Sequence, residues 1–414
     1  MDEDSERIAN ETESLQLLTD NCTNMEAYLN YTLSTGLIYT QMNISREFPI
    51  DYAYTLNGLF MPILIVITMI ANTLVVLVLA KRKMRSPTNT VLLCMALSDL
   101  FTVIPPAPWL LYMYTFGNHS KPFQSVPACY AYVYMSEVLP NFFHTSSIWL
   151  TMALAIQRYV YVCHVVLARV FCTIPHVLKA IAMIYGLAAV HQSTRFFDIT
   201  ITESPICWEG QIYLSCKKDM AYWVTDIVTP DIYFNIYYWF RVICIHLGPC
   251  ITLLTLNILL FQTLKEARAT RAKLFSENSN AKHGMECKRM RDSQCTTLML
   301  IVVVTVFLLV EIPLAVLTVL HIVSSSVVEF LNYEVVSVLI LFSNFSISAS
   351  YPINFAIYCG MSRQFRETFK ELFIKSAEEN DTRATTVHRS SRYSRVNGGG
   401  DGNGRRSCTN ETAL

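Results

Sequence analysis

Charge is what this chain has least of. Acidic and basic residues fill 15% of its 414 positions, against about a quarter in an ordinary soluble domain, while 52% are hydrophobic and mean hydropathy is +0.34. That scarcity excludes a string of water-soluble domains and leaves one polytopic helical membrane domain. The thirteen cysteines form no CxxC pair and no metal-spaced His/Cys cluster, so no zinc site and no dithiol redox motif is written here, and most read as packing thiols. Neither HExxH nor a Ser/His/Asp spacing is present, which argues against a membrane enzyme. No internal repeat is visible, which argues against a transporter. The start, Met1-Asp-Glu-Asp-Ser-Glu6, lacks the basic region and apolar core of a cleaved signal peptide, so the first hydrophobic span is expected to act as the insertion signal.

What is present is a series of apolar runs of about 20 residues each, the length needed to cross a bilayer. The expected spans are 56–80, 90–114, 130–163, 177–190, 236–264, 296–323 and 335–358. The fourth is short, preceded by Pro175 and marked by Lys179 near its start. Lys81-Arg82-Lys83 after the first span and the basic stretch from Lys265 to Arg291 after the fifth place those loops in the cytoplasm by the positive-inside rule, and with them the N-terminus outside a plasma membrane. Residues 1–54 then read as an extracellular tail with sequons at Asn10, Asn21, Asn30 and Asn43, and Asn118 adds a sequon in the loop after the second span. Residues 362–375 alternate Phe365, Phe369, Leu372 and Phe373 with Arg and Lys, the pattern of an amphipathic helix on the inner leaflet. Residues 376–414 are rich in Ser, Thr, Gly and Arg, the composition of a disordered tail. The expected fold is an all-α, seven-helix membrane bundle over 55–361.

Polar groups inside these spans carry the rest of the signal, because intramembrane charge is costly and survives where it has a task. They are Asn72, Asp99, Arg158, Arg241, His246 and Glu311, with Pro249, Pro313 and Pro352 as kinks. Arg158 closes the third span where membrane meets cytosol. Arg241 and Glu311 read either as the floor of a polar pocket or as a structural ion pair. Four cysteines fall outside by this topology, Cys22, Cys129, Cys207 and Cys216, and sequence alone leaves all three pairings open. Thr412-Ala413-Leu414 fits the carboxyl terminus that adds a strand to PDZ domains.

Over about residues 55–375 the ordered set Asn72, Leu97-Ser98-Asp99-Leu100, Gln157-Arg158-Tyr159, Pro249, Pro313 and Pro352 resembles the rhodopsin-like (class A) G-protein-coupled receptors. Longer runs, among them Ser86-Pro-Thr-Asn-Thr-Val91, Ala155-Ile-Gln-Arg-Tyr159 and Cys295-Thr-Thr-Leu-Met-Leu-Ile-Val-Val-Val304, are similar to the sex peptide receptor family of insects. The resemblance implies a receptor for an amidated neuropeptide, of the myoinhibitory or seminal type, that lowers cAMP through Gi/o. It also implies arrestin and a receptor kinase as partners, a PDZ protein at Thr412 and Leu414, lipid contact, and no nucleic acid. A receptor for another neuropeptide, or a transporter, is the alternative reading. A retinal receptor is excluded, because 335–358 contains no lysine.

By the same resemblance Gln157, Arg158 and Tyr159 would meet the G protein, and Asn72, Asp99, Ser147 and Ser348 would form a polar core able to hold a structural Na+. The family bridge would join Cys129 to Cys216. Ligand-pocket candidates are Glu137, His144, Arg241, Glu311 and His321. The chain departs from the family where Gln157 replaces an acid, where Glu311 stands in the usual place of a tryptophan, and where Tyr351-Pro-Ile-Asn354 replaces Asn-Pro-X-X.

Overall fold

The computed structural model describes residues 22, 42, 50–123, 125–277, 281–326 and 332–375. The glycosylation candidates Asn10, Asn21, Asn30 and Asn43 and the tail candidates Thr412 and Leu414 lie outside the described residues.

Seven long helices appear in the order the hydrophobic runs predict. They are α1 Ile50–Leu79, α2 Pro87–Thr115, α3 over 126–163, α4 Ile174–Phe196, α5 over 230–277, α6 Ala281–Ser326 and α7 over 333–361. A short helix, Val165–Phe171, follows α3. Local chemistry sets several starts. Ser86 accepts from Asn89 N at 3.1 Å to cap α2, with Pro87 at the first turn where it lacks no needed donor. Asn332 accepts from Glu334 N at 2.8 Å to cap α7. The fourth helix is longer than the apolar run suggested: Pro175 sits in its first turn, where proline is tolerated, and does not precede it.

Among the described residues, six of these helices are long and apolar enough to span a membrane on their own. The exception is α3, which is long enough but too polar. Its polar residues face inward: Thr145, Ser146, Ser147, Thr151 and Arg158 are all buried, because α3 runs through the middle of the bundle against α2, α4, α5 and α6. Outward faces carry the apolar surface instead, with Leu59, Ile63, Val66 and Ile70 of α1 all more than half exposed. A water-soluble protein rarely exposes such a continuous stripe. The polypeptide crosses a membrane several times.

Between α4 and α5 the chain forms an antiparallel hairpin, β1 Ile199–Trp208 and β2 Gln211–Met220. Its turn, Glu209-Gly210, has φ of 50° and 76°, the two positive values of a type I′ hairpin turn. Disulfides Cys129–Cys216 and Cys22–Cys207 fasten both strands. Tyr130 Oη also accepts from Ile201 N at 2.9 Å, tying β1 to α3. Beneath lies an apolar cluster of Ala53, Leu56, Met113, Tyr114, Val133 and Ile201. This is the hairpin end of the bundle; Arg158 marks the other.

Residues 363–375 belong to a second unit. Within it the helix α8, Arg363–Lys370, carries an Arg363–Glu367 pair at 2.8 Å, and the Phe369 and Phe373 rings meet at 46° with centroids 4.8 Å apart. Phe369 and Phe373 thus share one side of this segment.

Candidate functional site

The helices leave open space between them at the hairpin end. A cavity of about 420 Å³ lies there, bounded by α1, α2, α3, α5, α6 and α7, within the size range of ligand sites. Its polar lining comes from Glu137, Asn141 and His144 on α3, Arg241 on α5, Asn344 and Ser348 on α7, and its aromatic lining includes Trp109, Tyr114, Tyr132 and Tyr351. Glu137, His144 and Arg241, singled out from sequence, thus share one cavity.

The charges are distributed unevenly. Glu137 is engaged at the rim, with Arg195 Nη2 at 3.6 Å and Lys218 Nζ of β2 at 3.7 Å. Arg195 also pairs with Asp198 and lies over the Tyr237 ring at 5.6 Å, while Tyr233 Oη donates to Asp198 at 3.1 Å. Burial pushes the Asp198 carboxyl above the ordinary carboxylate range, opposed by the nearby Arg195 guanidinium. Arg241 differs. Its Nη2 donates to Asn141 Oδ1 at 2.9 Å, and among the described residues no carboxylate pairs with it. The structural ion pair between Arg241 and Glu311 that the sequence allowed is not made.

Glu311 lies deeper, 1% exposed, on α6. One oxygen faces His144 Nε2 at 3.2 Å and the other faces His246 Nδ1 at 3.5 Å. It does not line the large cavity; it lines a chamber of about 30 Å³ below it, which also meets Asp99, His144, Ser147, Tyr351 and Asn354. Asp99 accepts from Ser147 Oγ at 2.7 Å and from Asn354 Nδ2 at 3.4 Å. Asn72 Nδ2 reaches the Tyr351 carbonyl at 3.5 Å, next to the break at Pro352. Ser348 sits on the wall of the upper cavity and not around this chamber, because the register of α7 turns Tyr351 and Asn354 toward Asp99 in its place. The side chain of His321 lies outside the described residues.

At the opposite end Arg158 is 9% exposed, with its guanidinium 5.8 Å from the Tyr161 ring centroid. No carboxylate pairs with it among the described residues. The main-chain carbonyl of Gln157 accepts from Cys172 Sγ at 3.8 Å. Tyr159 packs with Leu260 and Leu264 of α5 and Ile301 of α6. Asn118, the described sequon, lies in the loop after α2 and donates to the Tyr112 carbonyl at 2.9 Å.

A second, larger cavity of about 680 Å³ opens beside the hairpin tip, lined by Trp109, Tyr112, Met113, Lys121, Phe123, Trp208 and Tyr213 among others. Trp109 and Met113 belong to both cavities. Sequence reasoning missed Asn141, Trp109 and the hairpin. The spacing of Glu137, Asn141 and His144, one helical face at i, i+4 and i+7, was the signal available for Asn141.

Comparison with known proteins agrees with this architecture. Residues 59–376 match the family model of serpentine-type seven-transmembrane G-protein-coupled chemoreceptors, Srw. The chain is 50% identical to the sex peptide receptor of Drosophila melanogaster over 375 residues, covering 90% of this chain and 82% of the relative. It is 34% identical to sex peptide receptor-related protein 2 of Caenorhabditis elegans, covering 82% and 77%. It is 25% identical to the FMRFamide receptor of Drosophila melanogaster, covering 82% and 60%.

Proposed function

Since the chain belongs to the sex peptide receptor branch of the rhodopsin-like G-protein-coupled receptors, we propose that it is a plasma-membrane receptor for an amidated neuropeptide of the myoinhibitory type, signalling through Gi/o. The observation that carries this reading is Arg241: a cavity cation held by a neutral amide and not by an acid. Such a guanidinium is free to share its donors with a carbonyl, and Asn141 Oδ1 beside it can accept from an amide N–H. A carboxamide terminus offers both groups without adding a charge. The aromatic wall at Trp109, Tyr114 and Tyr132 suits aromatic side chains. The adjoining cavity at the hairpin tip gives a peptide longer than one or two residues somewhere to lie. A seminal peptide with the same terminal chemistry would fit the same groups. The name of the FMRFamide receptor supports an amidated ligand.

In this reading the hairpin end faces outward with Asn118, and the Arg158 end faces the cytosol. Arg158, flanked by Gln157 and Tyr159, meets the G protein; arrestin and a receptor kinase follow at the same end, and Thr412 and Leu414 engage a PDZ protein. A sodium ion would sit in the small chamber, held by the Asp99 carboxylate and the Ser147 hydroxyl, and would supply the positive charge a buried carboxylate needs. A ligand at one end changes coupling at the other only by binding two helix arrangements unequally.

The test is inhibition of forskolin-raised cAMP in cells expressing the full chain, with a paired-tryptophan amidated peptide and its free-acid form. A fall that needs the amide and disappears in Arg158→Ala at equal surface level supports the reading. No response to the amidated peptide, with a promiscuous G protein also supplied, overturns the ligand assignment.

A further inference from the structure

The buried carboxylate of Glu311 is used neither by the ligand cavity nor by the Asp99 network. It sits where three helices meet, and each of its oxygens faces a histidine on a different neighbour: His144 of α3 at 3.2 Å and His246 of α5 at 3.5 Å. These contacts are of ion-pair length, yet neither Glu311 oxygen nor either histidine nitrogen facing it has hydrogen-bond geometry. A buried polar group left half-satisfied carries a desolvation cost, so a helix arrangement that satisfies it better competes with this one. We propose that His144, Glu311 and His246 form a clasp that holds α6 against α3 and α5 in the resting receptor, and that occupancy of the cavity activates the receptor by loosening it.

The surrounding backbone is arranged for such a role. Glu311 precedes by two residues Pro313, the proline inside α6, where the ladder of backbone hydrogen bonds is interrupted and the helix can bend. His246 lies in the π-helical stretch Arg241–Leu247, directly before Gly248 and Pro249. That stretch is anchored to α3 by Trp149, whose Nε1 donates to the Cys244 carbonyl at 3.0 Å. Gly248 allows it to pack: a Cβ there would lie 2.6 Å from the Ile243 carbonyl oxygen. Both partners of the clasp on α5 and α6 therefore sit next to points of bending, the places where π-bulges and prolines commonly serve function.

Both histidines are also one link from the cavity. His144 lines it directly, and Arg241, the cavity cation, opens the π-helical stretch that carries His246. The Tyr351 hydroxyl on α7 is 3.2 Å from His144 Nδ1; in the tautomer that accepts this bond, the ring proton sits on Nε2, the nitrogen 3.2 Å from Glu311. A ligand that draws Arg241 or His144 toward itself thus changes the distance to Glu311 without touching it. The route from cavity to α6 is a set of contacts on one level of the bundle. No tryptophan at position 311 is required.

The inference rests on the receptor reading but not on the identity of the ligand, because resting activity is measured without one. The full-length receptor is expressed in cells carrying reporters for each G-protein class, and ligand-free signalling is divided by surface level. Glu311→Gln and His246→Gln are each expected to raise it about threefold or more, the size of effect a modest shift between two states produces. Combining them should add little, since both open one clasp. Glu311→Asp, which keeps the charge, should stay nearer to wild type. Unchanged or lower ligand-free signalling in variants at normal surface level overturns the proposal, as does an additive double variant. Should Glu311→Gln be retained inside the cell, His246→Gln alone decides, because it leaves the carboxylate with His144. In parallel, a dye on the exposed Cys295 of α6, in a background with Cys244, Cys287, Cys359 and Cys408 replaced by Ser, reports movement of that helix in purified receptor. The same spectral change with Glu311→Gln as with agonist on wild type is expected; no change in the variant overturns the clasp.

Discussion

Arg241 and Asn141 join α5 to α3 across the wall of the upper cavity, with Nη2 donating to Oδ1 at 2.9 Å. Glu137, one turn above Asn141, is meanwhile drawn to the rim by Arg195 and Lys218. The cavity therefore presents cationic donors inward and keeps its acid at the edge. Replacing Arg241 by Ala should raise the agonist EC50 by roughly 10- to 100-fold, the worth of one or two hydrogen bonds to a charged group. Lys should restore only part of it, since an ammonium lacks the planar fork. Radioligand displacement at matched surface expression checks this, and equal potency in Arg241→Ala would remove it from the site.

The hairpin is held by covalent bonds on both strands, so its removal from the cavity should be stepwise. Cys216→Ser releases β2 from α3 at the cavity rim; we expect loss of agonist binding and about 2–4 kcal/mol of stability. Cys22→Ser leaves that anchor in place and should retain binding with a smaller loss. Thermal unfolding of purified receptor, followed with and without ligand, separates the two.

Gly58 meets the backbone of Tyr114 where α1 crosses α2: a Cβ there would lie 3.2 Å from the Tyr114 carbonyl carbon and oxygen, and Thr115 Oγ1 donates to the Gly58 carbonyl at 2.9 Å. Gly58→Val should cost about 1–3 kcal/mol by overpacking. Gly186→Ala, with open space around its Cβ, should be neutral or slightly stabilising. Melting temperatures of the two variants should therefore move apart.

Sodium offers a test of the small chamber. If an ion shares Asp99 and Ser147 in the resting state, replacing sodium by choline at constant ionic strength should raise agonist affinity, and Asp99→Asn should abolish the difference. Sodium-independent affinity in wild type would leave Asp99 with Ser147 and Asn354 as its only partners.

Much of this was legible in the sequence. Spans of about 20 apolar residues, the basic loops and the ordered prolines located the helices, since backbone satisfaction in lipid leaves few alternatives. The clustering of Glu137, His144 and Arg241 in one cavity followed from helix order. What escaped was set by angle and depth. Glu311 lies on the bundle side of α6 but one level below the upper cavity, and no periodicity distinguishes those levels. Ser348 and Asn354 differ by six residues across a proline, so which of them faces Asp99 depends on the break at Tyr351-Pro352. The hairpin was hidden because its sequence, 199–220, contains Pro205 and five charged residues, with no strict alternation along its whole length; disulfides hold it where pattern is weak.

The polarity of α3 has a consequence for how the chain is made. By length and composition its neighbours are apolar enough to cross a bilayer, whereas α3 falls short of that level. The polar Ser147 and Thr151, within the span, are shielded from lipid by the neighbours packed around α3. We expect α3 to stay beside the translocon until later helices emerge. A polypeptide released after the short helix Val165–Phe171 would present quality control with a span that cannot settle, and an early stop codon should yield rapid degradation of the fragment instead of a stable membrane stub.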